Sequence, residues 1–315
     1  MSPPKSDEIR TLRPRHDLAW LHVFVNATLL FGGLELAKLG PLVAYVLGQF
    51  LLALAFSQAL ILAHEAGHRT LFRGTLLNDI VGTLTGFLAL VPYASWRPIH
   101  ARHHRYTGWQ DLDATTQSLV PRELLAWQRA VIDLAWRFWL PLFSIAYRIE
   151  NYWRIGRIVP YLPKKVRPAR LKWAATTQLL VYGALIFWIG PADIALLLGP
   201  GLFLALAFQD IVLLSQHTHM PTHLSCGAEV RPFRPLAQGP FTRSLRLPAW
   251  LSWLILHFDA HELHHLYPSV PGYLLRRISY TPPNEVQWYA WLRAVKAMSG
   301  CEFLFGGPHL ERHEC

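Results

Sequence analysis

Eight histidines stand in three short clusters, and they are the residues of this chain best suited to chemistry. The clusters read HEAGH, HARHH and HELHH, and their histidines are His64, His68, His100, His103, His104, His261, His264 and His265. On a helix, side chains three or four residues apart share a face, so each cluster is predicted to aim its imidazoles at one point. Imidazole binds iron, zinc, copper or nickel, and eight imidazoles are too many for one ion. The spacing therefore predicts a nitrogen-rich site for two metal ions, whereas three unrelated groups of surface or core histidines would be an improbable coincidence.

The elements that carry these clusters are predicted to be membrane helices. The chain is 52% hydrophobic and only 16% charged, against about a quarter charged in a soluble protein. Long uncharged apolar runs account for the deficit; they cover residues 18–34, 39–63, 173–191 and 194–216. The run 39–63 is long enough to cross a bilayer core with some tilt. We therefore predict an integral membrane protein with four spans.

Two shorter apolar runs are predicted not to cross. Residues 80–96 are broken by glycines and Pro92, and residues 138–147 are too short and contain Pro141. If 80–96 crossed the membrane, the first two histidine clusters would face opposite sides and could not share a site. We therefore interpret 80–96 as re-entrant or interfacial and 138–147 as an interfacial segment.

The distribution of basic residues predicts the orientation. Residues 67–170 hold fifteen of the thirty Lys and Arg residues, while the short connections between spans hold almost none. By the positive-inside rule, both termini and all three clusters are cytoplasmic. The predicted fold class is all-α: a polytopic membrane protein with four transmembrane helices, a re-entrant or interfacial helix and a cytoplasmic helical cap. It forms a single domain, 1–315, with an N-terminal tail (1–17), a C-terminal tail (276–315) and no evident secretory signal.

The cysteines and the net charge exclude other classes. Cys226, Cys301 and Cys315 are few and scattered, so we expect no disulfide framework and no cysteine metal site. A net charge of +10 is explained by anionic lipid and the topology bias rather than by nucleic acid. An acidic electron carrier is a further possible partner for the basic face.

The order HxxxH, HxxHH, HxxHH, with two predicted spans before the third cluster, resembles the membrane fatty-acid desaturase and hydroxylase superfamily. The sequence HHLYPSVPGY is similar to the bacterial branch, and the likeness covers about residues 40 to 275. It implies a diiron centre with dioxygen as co-substrate. The implied reaction introduces a double bond into a lipid-bound or carrier-bound acyl chain, in the bacterial inner membrane. Electrons would come from a separate ferredoxin, rubredoxin or cytochrome b5 type donor.

One departure from that pattern concerns the third cluster. Many bacterial relatives read HxEHH, whereas here Glu262 occupies the neighbouring position and Leu263 follows. We expect Glu262 to form a salt bridge on the helix surface rather than to bind metal.

The resemblance also implies a further ligand after the fourth span, where the sequence reads QHTHMPTH. His217 is the first choice, and His219 and His223 are the alternatives. Asp210, seven residues earlier on the same helix face, is predicted to hold that histidine by its free N–H, unless it pairs with a polar group of another helix. His257 shares a face with His261 and is interpreted as a packed residue rather than a ligand or its support.

Three other functions compete with acyl desaturation. A hydroxylase or ketolase acting on a carotenoid or other alkyl substrate would use the same clusters. A metal transporter or sensor should place its ligands near the membrane midplane, and here the histidines lie at span ends. A zinc hydrolase needs three ligands and an acid–base residue, which would leave at least five histidines unexplained.

Overall fold

The computed structural model describes residues 6–312 of the chain, with side chains described from residue 8 to residue 308. Its α-helices are α1 (Ser6–Thr11), α2 (His16–Lys38), α3 (Leu42–His68), α4 (Thr75–Leu88), α5 (Tyr93–Tyr106), α6 (Ala126–Arg137), α7 (Leu142–Arg148), α8 (Ile155–Ile158), α9 (Pro168–Ile189), α10 (Pro191–His217), α11 (Ala249–Leu254), α12 (His261–Leu266), α13 (Trp288–Lys296) and α14 (Gly300–Phe305). The strands are β1 (Thr222–Leu224), β2 (Ser244–Arg246), β3 (Glu285–Gln287) and β4 (His309–Arg312). The chain is mostly helical, as predicted, but β1 pairs with β4 and β2 with β3 in two small parallel sheets that we did not expect.

Three helices are long and apolar enough to cross a membrane: α2, α3 and α10. Two further pairs pass the same test when joined: α4 with α5, and α6 with residues Leu142–Trp153. Their members are bent against each other by 101° and 117°. By length and composition the described chain therefore offers three to five membrane spans, which indicates a membrane protein.

The run 173–191 forms helix α9, but α9 is not among these candidate spans. Arg170 and Lys172 lie in its first turns and Thr176, Thr177 and Gln178 follow one another in its middle, so α9 is less apolar than α3 and α10. The expected fourth span is therefore present as a helix, but α9 does not pass the test of length and hydropathy that α2, α3 and α10 pass.

Helix α3 lies at the centre of the fold, between α2 and α10. Glycines let α2 and α3 approach closely: a Cβ atom on Gly48 would lie 2.6 Å from the backbone nitrogen of Ala37 and 2.7 Å from the carbonyl oxygen of Gly33. Small residues commonly allow such approaches between membrane helices. This close crossing sets the position of α3 against α2.

We expect Gly48→Ala to destabilise the protein by about 1–3 kcal/mol, because the new methyl group forces the two backbones apart. The measurement is the thermal unfolding midpoint in detergent. Gly183→Ala in α9 is the matched control, since nothing lies within 4 Å of the added Cβ there. That change should be neutral or slightly stabilising. Equal midpoints for the two variants would contradict the close crossing.

The segment 75–106 turns back on itself. Helix α4 ends at Leu88, the backbone of Leu90 adopts φ of 59°, and α5 begins after Pro92. Helix α5 then packs against the end of α3, where the ring of Trp96 covers Gly67 so closely that a Cβ there would lie 2.2 Å from it. The chain thus returns to the end of α3 from which it left.

The C-terminal segment is folded rather than a tail. Trp291 and Val295 of α13 and Phe303 of α14 pack with Leu214 and Leu245 in a buried cluster. Contrary to our expectation, Cys226 is disulfide-bonded, while Cys301 is free and Cys315 lies outside the described residues.

An ion-pair network also ties this segment to the loop before α12. The Arg276 guanidinium contacts the Asp259 carboxylate at 2.5 Å and the Glu285 carboxylate at 2.8 Å. It therefore holds the third histidine cluster against the body of the protein.

Candidate metal centre

The first histidine cluster occupies the last turns of α3. The preceding run Leu60–Ala63 is buried and apolar, so α3 continues unbroken to His68, where Arg69 takes a left-handed conformation and ends it. His64 is buried and His68 half-buried. The two side chains are one helical turn apart and point the same way.

The other clusters lie on α5, on α12 and at the end of α10. The bend before Tyr93 aims α5 at the end of α3 and carries His100, His103 and His104. Helix α12 is a single buried six-residue segment, and three of its residues are histidines. His217 is the last residue of α10.

These nine histidines form two groups, each of which could hold a metal ion. Site one contains His64, His68, His100, His104 and His264; site two contains His103, His217, His261 and His265. Within each group the candidate ligand atoms all lie within 4.8 Å of one another. The contacts join Nε2 atoms: 2.8 Å from His100 to His68 in site one, and 3.0 Å from His217 to His261 in site two.

The structure corrects one expectation about the two HxxHH clusters. We predicted that each cluster aims at one point, but each is divided between the sites. His100 and His104 serve site one, and His103 serves site two. Side chains four residues apart differ by about 40° around a helix, and those three apart by about 60° in the opposite sense. The i, i+4 pair therefore stays together and the intervening histidine faces the second site.

Oxygen acceptors lie beside the other ring nitrogen of three of the four site two histidines; the Nδ1 atom of the fourth, His261, is buried and has no hydrogen-bond partner among the described residues. The Nδ1 atom of His103 is 2.7 Å from an Asp113 carboxylate oxygen, that of His265 is 2.9 Å from the Gln238 amide oxygen, and that of His217 is 3.1 Å from a backbone carbonyl oxygen. In site one, His64 Nδ1 lies 3.0 Å from the Glu65 carboxylate. Each of these oxygens accepts a hydrogen bond from Nδ1–H, so these four imidazoles are held in the tautomer that leaves Nε2 unprotonated.

The protonation of the ring nitrogens tests whether the two groups of histidines fit a metal ion. The unprotonated Nε2 atoms of His103 and His265 lie 3.2 Å apart and present lone pairs to each other, which repel unless a cation lies between them. The Nε2 atom of His64 is buried and has no hydrogen-bond partner among the described residues. Both groups therefore fit a divalent cation, and an all-nitrogen set with few carboxylates suits a transition metal.

The electrostatics favour neutral imidazoles as well. Burial, reinforced by the neighbouring histidines, holds the pKa of His261, His264 and His265 well below its usual range. Burial acts to raise the pKa of Asp113, but His103 and the hydrogen bonds from Thr115 outweigh it and leave that pKa below its ordinary value. Site two thus combines His261 and His265, whose burial favours the neutral form, with an ionised carboxylate beside His103.

A family comparison agrees with this geometry. The fatty acid desaturase family model matches residues 40–291, four-fifths of the chain and all nine histidines. The chain belongs to the fatty acid desaturase family.

Curated desaturases are similar along most of this chain. An omega-3 fatty acid desaturase, chloroplastic, of Ricinus communis is 26% identical over 85% of this chain and 61% of its own length. The corresponding protein of Sesamum indicum is 28% identical over 87% of this chain and 64% of its own length. An sn-1 oleoyl-lipid 12-desaturase of a Picosynechococcus strain is 25% identical over 82% of this chain and 75% of its own length. The chain thus spans somewhat less than two thirds of the plant desaturases.

In this desaturase-family chain, the other candidate residues lie outside both sites. His219 Nε2 faces the backbone carbonyl of Glu302, and His223 packs among the rings of Trp109, Phe233 and Phe241. His257 Nδ1 lies 2.9 Å from the Ser252 hydroxyl. Of the three histidines considered after the fourth span, only His217 lies in a metal group.

Asp210 and Glu262 have surroundings that differ from our predictions. The Asp210 carboxylate accepts the backbone N–H of Ser144 in α7 at 2.6 Å and does not contact His217, so the alternative partner on another helix is the one present. Glu262 is fully buried rather than on the surface; it accepts the backbone N–H of Asn284, and burial raises its pKa to about 7. Glu262 lies on the side of α12 that faces the Gly239 turn, so it is packed away from solvent.

The sequence analysis gave no role to the residues that orient the histidines of the two sites. Glu65 stands inside the first cluster and Asp113 lies ten residues after His103, so both were visible as nearby acids. Gln238 and the Phe241 carbonyl come from a loop with no motif, and no signal in the sequence points to them.

A cavity lies against both sites. His64 and His100 of site one and His103, His217 and His261 of site two line it, and Leu60, Ile61, Val91, Leu213 and Phe258 supply apolar walls. A smaller apolar cavity shares Leu60, Ile61, Leu213 and Phe258 and extends to Phe208 and Ile255. The fold thus places a cavity with largely apolar walls directly beside the histidines.

Proposed function

We propose that this chain is an oxygen-dependent diiron desaturase of fatty acyl chains. Site one would hold one iron ion with five histidines, and site two a second with four. The observation that supports the proposal best is the convergence of nine Nε2 atoms on two adjacent points beside an apolar cavity. Family membership favours the same chemistry.

The two irons, when bound, would supply an oxidant able to remove hydrogen from an unactivated C–H bond. In the overall reaction, two hydrogens leave adjacent carbons, and dioxygen takes them up with two electrons and two further protons to give two waters. The protein's part is positional. Leu60, Ile61 and Phe258 hold the acyl chain dry beside the histidines, and the Nδ1 acceptors keep the imidazoles in one orientation.

The substrate we propose is an acyl chain esterified to a membrane lipid. The curated relatives are named as acyl-lipid or omega-type fatty acid desaturases. The cavity beside the sites has walls suited to a methylene chain, and the charged group nearest to it, Arg148, is already satisfied by Ala89, Ser144 and Gln209. A headgroup therefore has no cation to bind inside the cavity and is expected to stay at the membrane surface.

The arrangement of helices supports four spans. Helices α3 and α10 both end at the metal groups, so both run toward the same side. Only Gly190 separates α9 from α10, so α9 must carry the chain from that side to the other. We therefore propose α2, α3, α9 and α10 as the spans, with α4–α5 re-entrant and both termini and the sites cytoplasmic. Residues 1–315 would form one domain in a bacterial inner membrane.

We propose that the electrons come from a separate acidic protein of the ferredoxin, rubredoxin or cytochrome b5 type. One relative is named as a ferredoxin-dependent desaturase, and this chain carries a net charge of +10. If the basic surface steers the donor, the turnover rate at limiting donor should fall severalfold as ionic strength rises from about 0.05 to 0.3 M. A rate unchanged by salt, with an intact donor, would contradict electrostatic docking.

Lipids of aerobic cells that express this chain with a donor and its reductase test the function. Mass spectrometry should reveal a lipid lighter by two hydrogens, absent from cells expressing His264→Ala. A product heavier by one oxygen atom would show hydroxylation instead. A protein that purifies with a single zinc ion and gives no oxidised lipid would contradict the oxygenase assignment.

Asp113 offers a separate test of the site. We expect Asp113→Asn to weaken metal retention about 10–100-fold, because both carboxylate oxygens accept hydrogen bonds and the amide replaces one acceptor by a donor. The measurement is bound iron against chelator concentration. Asp111→Asn is the control, since Asp111 accepts from Ser225 and Cys226 but contacts no histidine of either site. Equal metal retention in both variants would exclude an orienting role for Asp113.

A further inference from the structure

A second large groove lies away from the histidines, between the α4–α5 pair and α9. Its volume is about 1090 Å³, and it shares no lining residue with the cavity beside the metal groups. Helix α5 separates the two, because His100 and His103 face the cavity while Arg97 and Ala101 face the groove. Whatever the groove binds is therefore distinct from the acyl chain proposed for the cavity.

One end of the groove carries positive charge that no acidic side chain balances. Arg97, Lys165, Arg167 and Arg170 line it and are exposed, and within residues 8–308 none of their side chains forms an ion pair or hydrogen bond. The only acidic residue in the lining, Asp79, is already paired with Arg69 at 2.9 Å. Four unpaired cations around one concave surface attract an anion.

The Tyr93 hydroxyl is the second indication of a ligand. The Tyr93 side chain lines the groove, is only 7% exposed, and its hydroxyl oxygen has no hydrogen-bond partner among the described residues. Its ring packs directly on Gly82, where a Cβ atom would lie 2.5 Å away, so the ring cannot easily turn elsewhere. Buried hydroxyls are rarely left unpaired, which indicates an oxygen acceptor supplied from outside the chain.

Beyond the charged end the wall of the groove is mostly apolar, with Thr83, Thr177 and Gln178 as its polar members, and it is long enough for the upper part of a lipid. Leu84 and Phe87 of α4 and Ala174 and Val181 of α9 line it. The Tyr182 hydroxyl ties the two helices together by donating to the Phe87 carbonyl at 2.6 Å. Along α9, Val181 lies about 16 Å beyond Arg170 at the rise of an α-helix. A charged headgroup at one end and the upper part of two acyl chains along the walls would fill this shape.

We propose that this groove binds one anionic phospholipid of the surrounding membrane. Arg97, Arg167 and Arg170 would contact its phosphate, with Lys165 beside them. The Tyr93 hydroxyl would donate to a phosphate or ester oxygen, and the acyl chains would lie along Leu84, Phe87 and Val181. The proposal depends on the helices lying in a membrane and not on the chemistry at the histidines.

Native mass spectrometry of the full chain in detergent, titrated with dioleoyl phosphatidylglycerol or dioleoyl phosphatidylcholine, tests the charge requirement. We expect the anionic lipid to bind at least about tenfold more tightly. The triple variant Arg97→Gln, Arg167→Gln, Arg170→Gln should lose that preference. The control triple Arg231→Gln, Arg234→Gln, Arg277→Gln removes the same charge from exposed positions outside the groove and should keep it. Equal binding of the two lipids, or equal loss in both triples, would overturn the proposal.

Tyr93→Phe tests the hydroxyl. We expect it to weaken phosphatidylglycerol binding severalfold without lowering the lipid-free unfolding midpoint, because no protein contact is lost. Unchanged lipid affinity would remove Tyr93 from the site. Competition by soluble glycerol phosphate as effective as by the lipid would show a phosphate site and overturn the lipid assignment. His264→Ala should bind the lipid as the unaltered chain does, so failure of the desaturase proposal and failure of this one are distinguishable.

Discussion

Replacing His264 by alanine is expected to reduce desaturation at least about 100-fold. Loss of a hydrogen bond that only supports a metal ligand costs up to about 100-fold, and loss of the ligand itself should cost at least as much. His264 reaches site one from α12, and its Nε2 atom lies 3.0 Å from that of His104. Without it, the remaining site one ligands come only from α3 and α5, and nothing closes that site from the third cluster. Bound iron, measured by elemental analysis, should fall from about two ions per chain to about one.

His257→Ala is the matched control for this experiment. His257 precedes the third cluster, is partly buried and contacts the Ser252 hydroxyl, but it belongs to neither site. The His257→Ala variant should be somewhat less stable than the unaltered protein and should keep its iron. If His264→Ala retains two irons and full activity, site one is not a metal site as proposed.

His217→Ala is expected to have an effect of the same order on site two. Its Nε2 atom lies 3.0 Å from that of His261, and it is the only member of either site that α10 contributes. Three histidines would remain, and the loss opens the site to water. Iron content should fall by about one ion and activity by at least about 100-fold.

His219→Ala separates this role from a general effect at the end of α10. His219 lies two residues away, its ring stacks on Phe303, and its Nε2 atom faces the Glu302 carbonyl. It should leave both irons and the activity in place. The opposite result, with His219→Ala inactive and His217→Ala active, would reassign the ninth ligand.

The division of each HxxHH cluster between two sites has a mechanical consequence. Helix α5 sends His100 and His104 to site one and His103 to site two, and α12 sends His264 one way and its other two histidines the other. Each helix therefore ties the sites together. A small rotation of α5 or α12 would disturb both sites at once, so the hydrogen bonds that hold these helices matter to the whole centre.

Arg276 belongs to that support. By pairing with Asp259 and Glu285 it fixes the turn that leads into α12. Glu65 makes a similar tie from α3, because its carboxylate lies against His64 Nδ1 and also accepts the backbone N–H of Gly272 at 2.7 Å. A carboxylate within the first cluster thus holds the segment that follows the third.

Much of this protein follows from the sequence. The helices that carry the three clusters and the long apolar runs all appear in the structure, because helical spacing and hydropathy are local properties of the chain. The expectation that the first two clusters share a site predicted that the chain bends between them, and the structure has a bend of 101° between α4 and α5. The choice of His217 over its neighbours followed from its position nearest the end of α10.

The tertiary structure decided what local spacing cannot. A spacing of three or four fixes which side chains share a face of one helix, but the packing of neighbouring helices decides which face meets which site. The sequence therefore grouped His103 with His100, and only the fold assigns it to site two. For the same reason Asp210 turned out to bond Ser144, Glu262 to be buried, and Gln238 to support His265. A polar group takes the partner that packing brings within about 3 Å, and that partner can come from anywhere in the chain.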